Sequence, residues 1–433
     1  MPFVHCGSEE CTKSKLDLFQ IAPTQTSIEK IIYVEVPPLS AITESAPIDF
    51  FIAGIGIDCM DLNNMLLYLC CKIVKGDRAE LAEDVELGLV NYPVSSIFSQ
   101  LDVTLGDCLV SQSNNCYSYR TFIESVLNYS NDTLAMQFSA GLFYNDTAGQ
   151  HEETELDGGN LAFVRHAKLM AQSRMVEVLG HLHSDLFFQE KLLLNGVDVK
   201  IKLMCSKDTF CLMGSAAKGF KLHIVSASLF VKKVWVASSV RLRHAEALLS
   251  GNTKYPMDRV GMKVVSIPVG SRVSNQENLF LGQLPKMLVL GFVDNDTFSY
   301  SKNPFHFKHY NINFVALYVD GEQIPTKPLQ PDFEAGRCVR EYINLVQTAG
   351  KHMKDCSLLI DPEEFAQGYT LFAFDLSPDQ ECAGHYYLIK TGNLRAEVHF
   401  GKAVMVTSSM IVYGVFDNVI EINQRRNILF DYM

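Results

Sequence analysis

Residues 97–107 (IFSQLDVTLGD) alternate apolar and polar side chains. Ile97, Leu101, Val103 and Leu105 share one face with Ser99, while Phe98, Gln100, Asp102 and Thr104 take the other. A period of two is the pattern of a half-buried antiparallel strand, and Gly106-Asp107 supply the backbone freedom of a tight turn. Residues 313–323 (NFVALYVDGEQ) repeat it: Leu101, Val103 and Leu105 fall on Val315, Leu317 and Val319, and the turn on Asp320-Gly321. A polar loop and a short helix follow each strand. Phe122, Ile123, Val126 and Leu127 share a helical face after Tyr119-Arg120, as Val339, Tyr342, Ile343 and Val346 do around Arg340. The second loop is longer, and Pro325, Pro328 and Pro331 predict that it is stiff and exposed.

A third pair of strands begins at Asn/Gly pairs: Val197, Val199, Ile201 and Leu203 after Asn195-Gly196, then Leu394, Ala396, Val398 and Phe400 after Gly392-Asn393. A fourth sets Leu229-Phe230, Val234 and Val236 against Val415-Phe416, Ile420 and Ile422. Strand, turn, helix and strands recurring in one order indicate a tandem duplication with unequal loops.

The remaining pattern fills in two β-rich halves. Residues 1–28 are polar and read as an arm. Runs at 31–36, 48–53 and 65–74 are separated by Pro37-Pro38, Gly54, Gly56 and Gly76, as strands of a sandwich are. Residues 145–160 (NDTAGQHEETELDGGN) form an acidic, Gly-rich insertion too polar for a core. Residues 161–179 are mixed and partly helical, and 240–249 predict a short linking helix. Strands are expected at 264–268, 287–293, 369–376, 394–400 and 411–422, with 302–313 loop-like. The fold class is all-β, two tandem antiparallel sandwiches at 29–236 and 237–433 with short helices in the loops.

A length of 433 residues suits two domains, and 48% hydrophobic with 20% charged residues suits packed interiors. The formal net charge of −12 disfavours a nucleic-acid-binding surface, which needs clustered Lys and Arg. The N-terminus lacks the apolar run of a secretory signal, and the apolar runs at 65–71 and 48–57 fall short of the ~20 residues of a spanning helix. The expectation is a soluble protein made in the cytosol. Its twelve cysteines show no CxxC pair, so reduced, mostly buried thiols are expected. Cys6 and Cys11 lack the second half of a zinc site. The sequons at Asn128, Asn131, Asn145 and Asn295 are then idle.

Candidate chemistry is sparse. His181, His183 and Asp185 would share a face on a strand, the best metal-like cluster, but no partner motif accompanies them. Asp294 and Asp296 lack the closing Glu of a Ca²⁺ loop, and Gly54-Ile55-Gly56 lacks the third glycine of a dinucleotide site. No GxxxxGK[ST], GxSxG or HExxH occurs. The expectation is no catalytic residue, no cofactor and no metal.

Long phrases carry a family resemblance: LDLFQIAPTQTSI (16–28), HSDLFFQEKLLLNGVDVKIKL (183–203), NQENLFLGQLPKMLVLGFVDND (275–296), NPFHFKHYNINFVALYVDGEQIPTKPLQPDF (303–333), GYTLFAFDLSPD (368–379) and GNLRAEVHFGKAVMVTSSMIVYGVFDNVIEI (392–422). Together they resemble the major capsid proteins of Polinton (Maverick) elements and adintoviruses. The resemblance implies a hexon-like double jelly-roll of two eight-stranded sandwiches. It also implies a homotrimer that tiles an icosahedral shell around double-stranded DNA, beside neighbouring capsomers and penton or minor capsid proteins, in the virion. No catalytic residue is carried over. Residues 413–416 (YGVF) depart from the pattern of many relatives, which place an acidic residue after Tyr-Ala. Under this reading the arm locks neighbours, and 145–160 and 321–335 are exposed tower or lattice elements. The rival readings are a monomeric β-sandwich module for glycan or receptor recognition, against which a single Trp235 speaks, and a hydrolase built on the His181 cluster.

Overall fold

The computed structural model describes the chain except residues 1–6, 9–10, 12, 17, 20, 44–45, 83–84, 215–218, 296–298, 381–384 and 431–433. Sixteen strands build the frame. The first eight are β1 (Ile28–Val36), β2 (Ile48–Ile52), β3 (Asp58–Lys75), β4 (Phe98–Leu105), β5 (Cys108–Gln112), β6 (Val176–His181), β7 (Val199–Cys205) and β8 (Phe220–Val236). The second eight are β9 (Thr253–Ile267), β10 (Val273–Gln276), β11 (Met287–Asp294), β12 (Ile312–Val319), β13 (Glu322–Leu329), β14 (Leu371–Asp375), β15 (Leu394–Phe400) and β16 (Ser408–Ile422).

Their pairing is the same twice over. The first set forms sheets of order β1-β8-β3-β6 and β2-β7-β4-β5; the second forms β9-β16-β11-β14 and β10-β15-β12-β13. Every strand pairs as its counterpart eight positions later does, and all the ladders are antiparallel. Two four-stranded sheets face to face with this order make a jelly roll. Short extra ladders join Gly88–Leu89 to Leu212–Met213 and add Ile428–Leu429 to β16.

The alternation in β4 and β12 holds with one adjustment. A bulge between Phe98 and Gln100 resets the face, so Phe98 is fully buried beside Leu101, Val103 and Leu105. The Pro-rich stretch after β12 is not a loop but β13, a hairpin partner at the sheet edge. Proline is tolerated there because an edge strand has N–H groups that no neighbour requires. Of residues 161–179, expected as mixed and partly helical, the last four belong to β6; the helix ends at Met170.

The longest helices among the described residues are α1 (Tyr117–Asn128), α2 (Leu161–Met170), α3 (Ser238–Ser250) and α4 (Val339–Thr348). Asn160 caps α2 by accepting from the backbone N–H of Ala162 and Phe163. Helix α3 joins the two jelly rolls, between β8 and β9. Among the described residues no helix is long and apolar enough to cross a membrane.

Strand β11 shows why the core is larger than two separate sandwiches. Seven of its eight residues, in the run MLVLGFVD, are buried. Leu288, Leu290 and Phe292 point into the second jelly roll, where they meet Leu317, Val398 and Val412. Val289 and Val293 point the other way, into a cluster continuous with Leu69, Val103 and Phe122 of the first. A strand covered on both faces reads as an unbroken apolar run. Gly291 fits the same geometry, since a Cβ there would meet the Phe307 ring at 2.6 Å.

Candidate functional site, the seam between the two sandwiches

Helix α1 lies at the centre of the joint. Phe122, fully buried, stacks on Phe305 with ring centroids 4.4 Å apart and planes 7° from parallel. Tyr369 lies nearly parallel to it at 6.3 Å and Phe307, tilted by 24°, at 5.9 Å, and Tyr119 meets Phe305 edge-on at 6.0 Å. Helix and rings come from opposite halves, so this apolar stack resists sliding of one sandwich over the other.

Beside the rings lies a buried charge cluster. Arg120 donates from Nε to Glu124 at 2.8 Å, one turn along α1, and from its terminal nitrogen to Asp185 at 2.5 Å. Asp185 also accepts the backbone N–H of Val260, on β9 of the other half, at 3.1 Å. Glu124 meets His183 Nδ1 at 2.9 Å, and His183 Nε2 lies 3.3 Å from the Tyr92 hydroxyl. Arg120, Glu124, Asp185 and His183 are each 3% exposed or less. Burial pushes the Asp185 carboxyl up against the pull of Arg120. Burial acts the same way on Glu124, but Arg120 and His183 outweigh it and hold that carboxyl below its usual range. Buried ions in this state are tolerated because each has a partner.

The third part of the seam corrects the expectation for residues 145–160. Their tip at Glu155, Leu156 and Asp157 is exposed, but Asp146, His151 and Asn160 are buried. The segment is a strap across the joint, not a free tower. Asn145 donates to Glu364 at 2.6 Å, the Asp146 N–H donates to the Tyr369 hydroxyl at 3.1 Å, and Asn303 donates to Asp146 at 3.2 Å. Glu152 receives Lys302 at 2.9 Å, Lys308 at 2.7 Å and His306 at 3.2 Å. Polarity misled because Asn145, Asp146 and Glu152 find partners in the other half of the chain, while Asn160 turns inward to Asp146.

Burial pushes the Asp146 carboxyl up to about 6, since its side-chain partners are neutral amides. Glu152 is held well below the carboxylate range: His306, Lys308 and Lys302 outweigh its burial. His151 is fully buried with neither ring nitrogen hydrogen-bonded, and it stacks on His306 at 4.6 Å. Burial drives it down to about 3, so it is a neutral ring in the fold. Gly368, at φ 139°, leaves room for it; a Cβ would lie 2.1 Å from the imidazole.

The sequence-predicted candidates take other roles here. His183 and Asp185 belong to the charge cluster, and His181 sits apart and half-buried at the end of β6. Asp294 accepts from Lys308 at 2.7 Å; Asp296 and Cys6 lie outside the described residues. Cys11 is exposed, and Gly54 donates to Asp198 in a turn. Among the described residues no group of three or more His, Cys, Asp or Glu could hold a metal. The Trp235 ring lies under Lys30, 5.5 Å away. The 321–335 region is edge strand β13 and the turn after it, half-exposed along its length.

Two jelly rolls with one strand order, locked through a buried seam, define the double jelly-roll fold of viral capsid proteins. A chain of the Sputnik virophage particle matches all of this chain and 95% of its own, with a TM-score of 0.65 at 12% identity. A chain of the PBCV-1 virus capsid matches 96% of this chain and 99% of its own, with a TM-score of 0.61 at 11% identity. The mavirus major capsid protein matches 100% of this chain and 96% of its own, with a TM-score of 0.54 at 11% identity. At the sequence level, an uncharacterized protein of Caenorhabditis elegans is 23% identical over 427 residues, covering 94% of this chain and 99% of its own. No family model matches the chain.

Proposed function

We propose that this chain is a viral major capsid protein, with residues 29–236 and 237–433 as its two jelly-roll domains and 1–28 as an arm. The observation that carries this reading is the seam: two jelly rolls of identical strand order are held side by side by buried rings, ions and a strap. A rigid two-barrel tile has a geometric use. Three copies place six barrels in a ring, so a threefold object fills a six-sided position, and heterologous edges close tiles into a shell. Penton or minor capsid proteins would fill the remaining positions. Formal net charge −12 suits a shell whose genome is neutralised by other, basic proteins. The role is structural rather than enzymatic, and the long phrases shared with Polinton and adintovirus capsid proteins support that lineage.

Mass photometry of the full-length protein at several concentrations and salt levels tests the proposal. The expected result is a dominant species at three times 48.5 kDa, with larger shells on concentration. A folded protein that stays monomeric throughout overturns it and points to a binding module.

A further inference from the structure

The arm and the cleft at its root are two unfinished surfaces. Leu16, Leu18, Phe19 and Ile21 are 68, 78, 96 and 92% exposed. Four adjacent large apolar side chains in water forgo about 1.5–3 kcal/mol each. A few residues on, Ser27 and Ile28 form one wall of an open cleft of about 570 Å³ beneath α3. Its floor is apolar, with Cys59, Leu192, Leu194, Val236 and Tyr255. Helix α3, which roofs the cleft, buries only Leu248 of its 13 residues. Besides Leu248 only Val240 packs below it, on the Cys59, Val234 and Val236 cluster, so a helix of marginal length has room for a further partner.

The arm has the reach to fill a cleft. From Ile21 to Ser27 the chain can span about 20 Å when extended. Its root is pinned: Gln25 Oε1 accepts from the N–H groups of Ser27 and Ile28 at 2.5 and 2.8 Å, and Gln25 Nε2 donates to the Ile28 carbonyl at 3.0 Å. That span suffices for docking within one chain, yet the four side chains stay exposed and the chain's own cleft stays open. We infer that residues 16–21 of one copy dock in the cleft beneath α3 of a neighbouring copy. Each copy then gives one arm and receives one, a heterologous contact that closes a ring or runs on through a lattice. The inference rests on the capsid-tile reading and names the surface that receives the arm.

Cys59, a free thiol in the cleft wall, gives a direct test. Full-length Phe19→Cys protein, assembled from equal parts isotopically light and heavy chains, is oxidised mildly and digested. The expected product is a disulfide between position 19 and Cys59 that joins light to heavy peptides, absent when Cys59→Ser is added. Wild type, with its exposed Cys11, supplies the background. Linked peptides that are only light–light and heavy–heavy mean docking within one chain and overturn the inference, as does the absence of any link. Mass photometry of the same sample under reduction separates the two readings: trimers without the link sink the arm contact alone, and monomers without it sink the tile as well. A second variant, Leu18→Asp/Phe19→Asp, is expected to weaken assembly about tenfold or more, since two side chains leave apolar surroundings. Unchanged assembly counts against the contact.

Discussion

Helices α1 and α4 occupy the same place in the two jelly rolls, each after the hairpin that ends one sheet, and their fates are opposite. Ten of the 12 residues of α1 are buried; of the 10 in α4, only Glu341, Leu345 and Thr348 are. The aligned arginines show what changed. Arg120 is 2% exposed between two carboxylates, whereas Arg340 lies on the surface and donates to the Lys327 and Pro328 carbonyls at 2.6 and 2.7 Å. The two helical patterns are alike, and position decides: α1 lies between the sandwiches, while α4 packs on the core at Leu345 and turns Val339 and Arg340 outward. One copy became the joint of the tile and the other an outer face.

The largest expected effect separates the two arginines. Arg120→Ala leaves Glu124 and Asp185 buried without their cation, and the expected loss is about 3–5 kcal/mol. Arg340→Ala removes two surface hydrogen bonds, and its cost is expected to stay near 1 kcal/mol. Urea midpoints of the two variants check the contrast, and equal losses would erase it. Next come the rings two residues along. Phe122→Ala empties the centre of a stacked cluster and is expected to cost about 3–5 kcal/mol. The half-buried Tyr342→Ala should cost less than half of that, by the same measurement.

Sequence pattern revealed the barrels better than their joint. Alternation in β4, β7, β12 and β15 placed the inward residues because those strands have one wet face. The seam was hidden because its parts look like surface. The strap at 145–160 is polar, and Asp146, Asn160 and His151 become interior only when residues 303–308 and 364–369 cover them. Arg120 and Asp185 are 65 residues apart, and no local spacing relates them. One signal was available: the unbroken run at 287–293 marks a strand covered on both faces.

The seam also titrates, with two groups that oppose each other. In the fold His151 stays neutral down to about pH 3, while an unfolded histidine binds a proton near 6.5, so stability is lost as pH falls below 6.5. Asp146 keeps its proton in the fold up to about 6, while an unfolded carboxyl loses it near 3.8, so the same acidification favours the fold. Between pH 7 and 5 the first term is about −2 kcal/mol and the second about +1 kcal/mol; buried His166, driven down to about 4, adds a loss like that of His151 to every variant, so the two groups are read as differences from wild type. Asp146→Asn removes the compensation, and over that range it should lose about 1 kcal/mol more than wild type. His151→Phe keeps a ring against His306 and over that range should lose about 2 kcal/mol less than wild type. Denaturant midpoints at the two pH values give both slopes; parallel slopes for all three proteins would remove these groups from the account.

The smallest effect on folding sharpens the comparison most. Val339, at the first position of α4, is 60% exposed, while its counterpart Tyr119 is packed edge-on against Phe305. Val339→Asp should leave the folded chain within about 0.5 kcal/mol of wild type, because it removes no buried contact. An apolar side chain this exposed gains free energy where another copy covers it, so a contact between tiles at α4 predicts that the same change impairs association. Comparing urea midpoints with mass photometry isolates that difference. A variant that unfolds early would show that α4 belongs to the core as α1 does. A variant that keeps both stability and assembly would move the contact between tiles to another edge, of which β13, a partner short on one side, is the nearest.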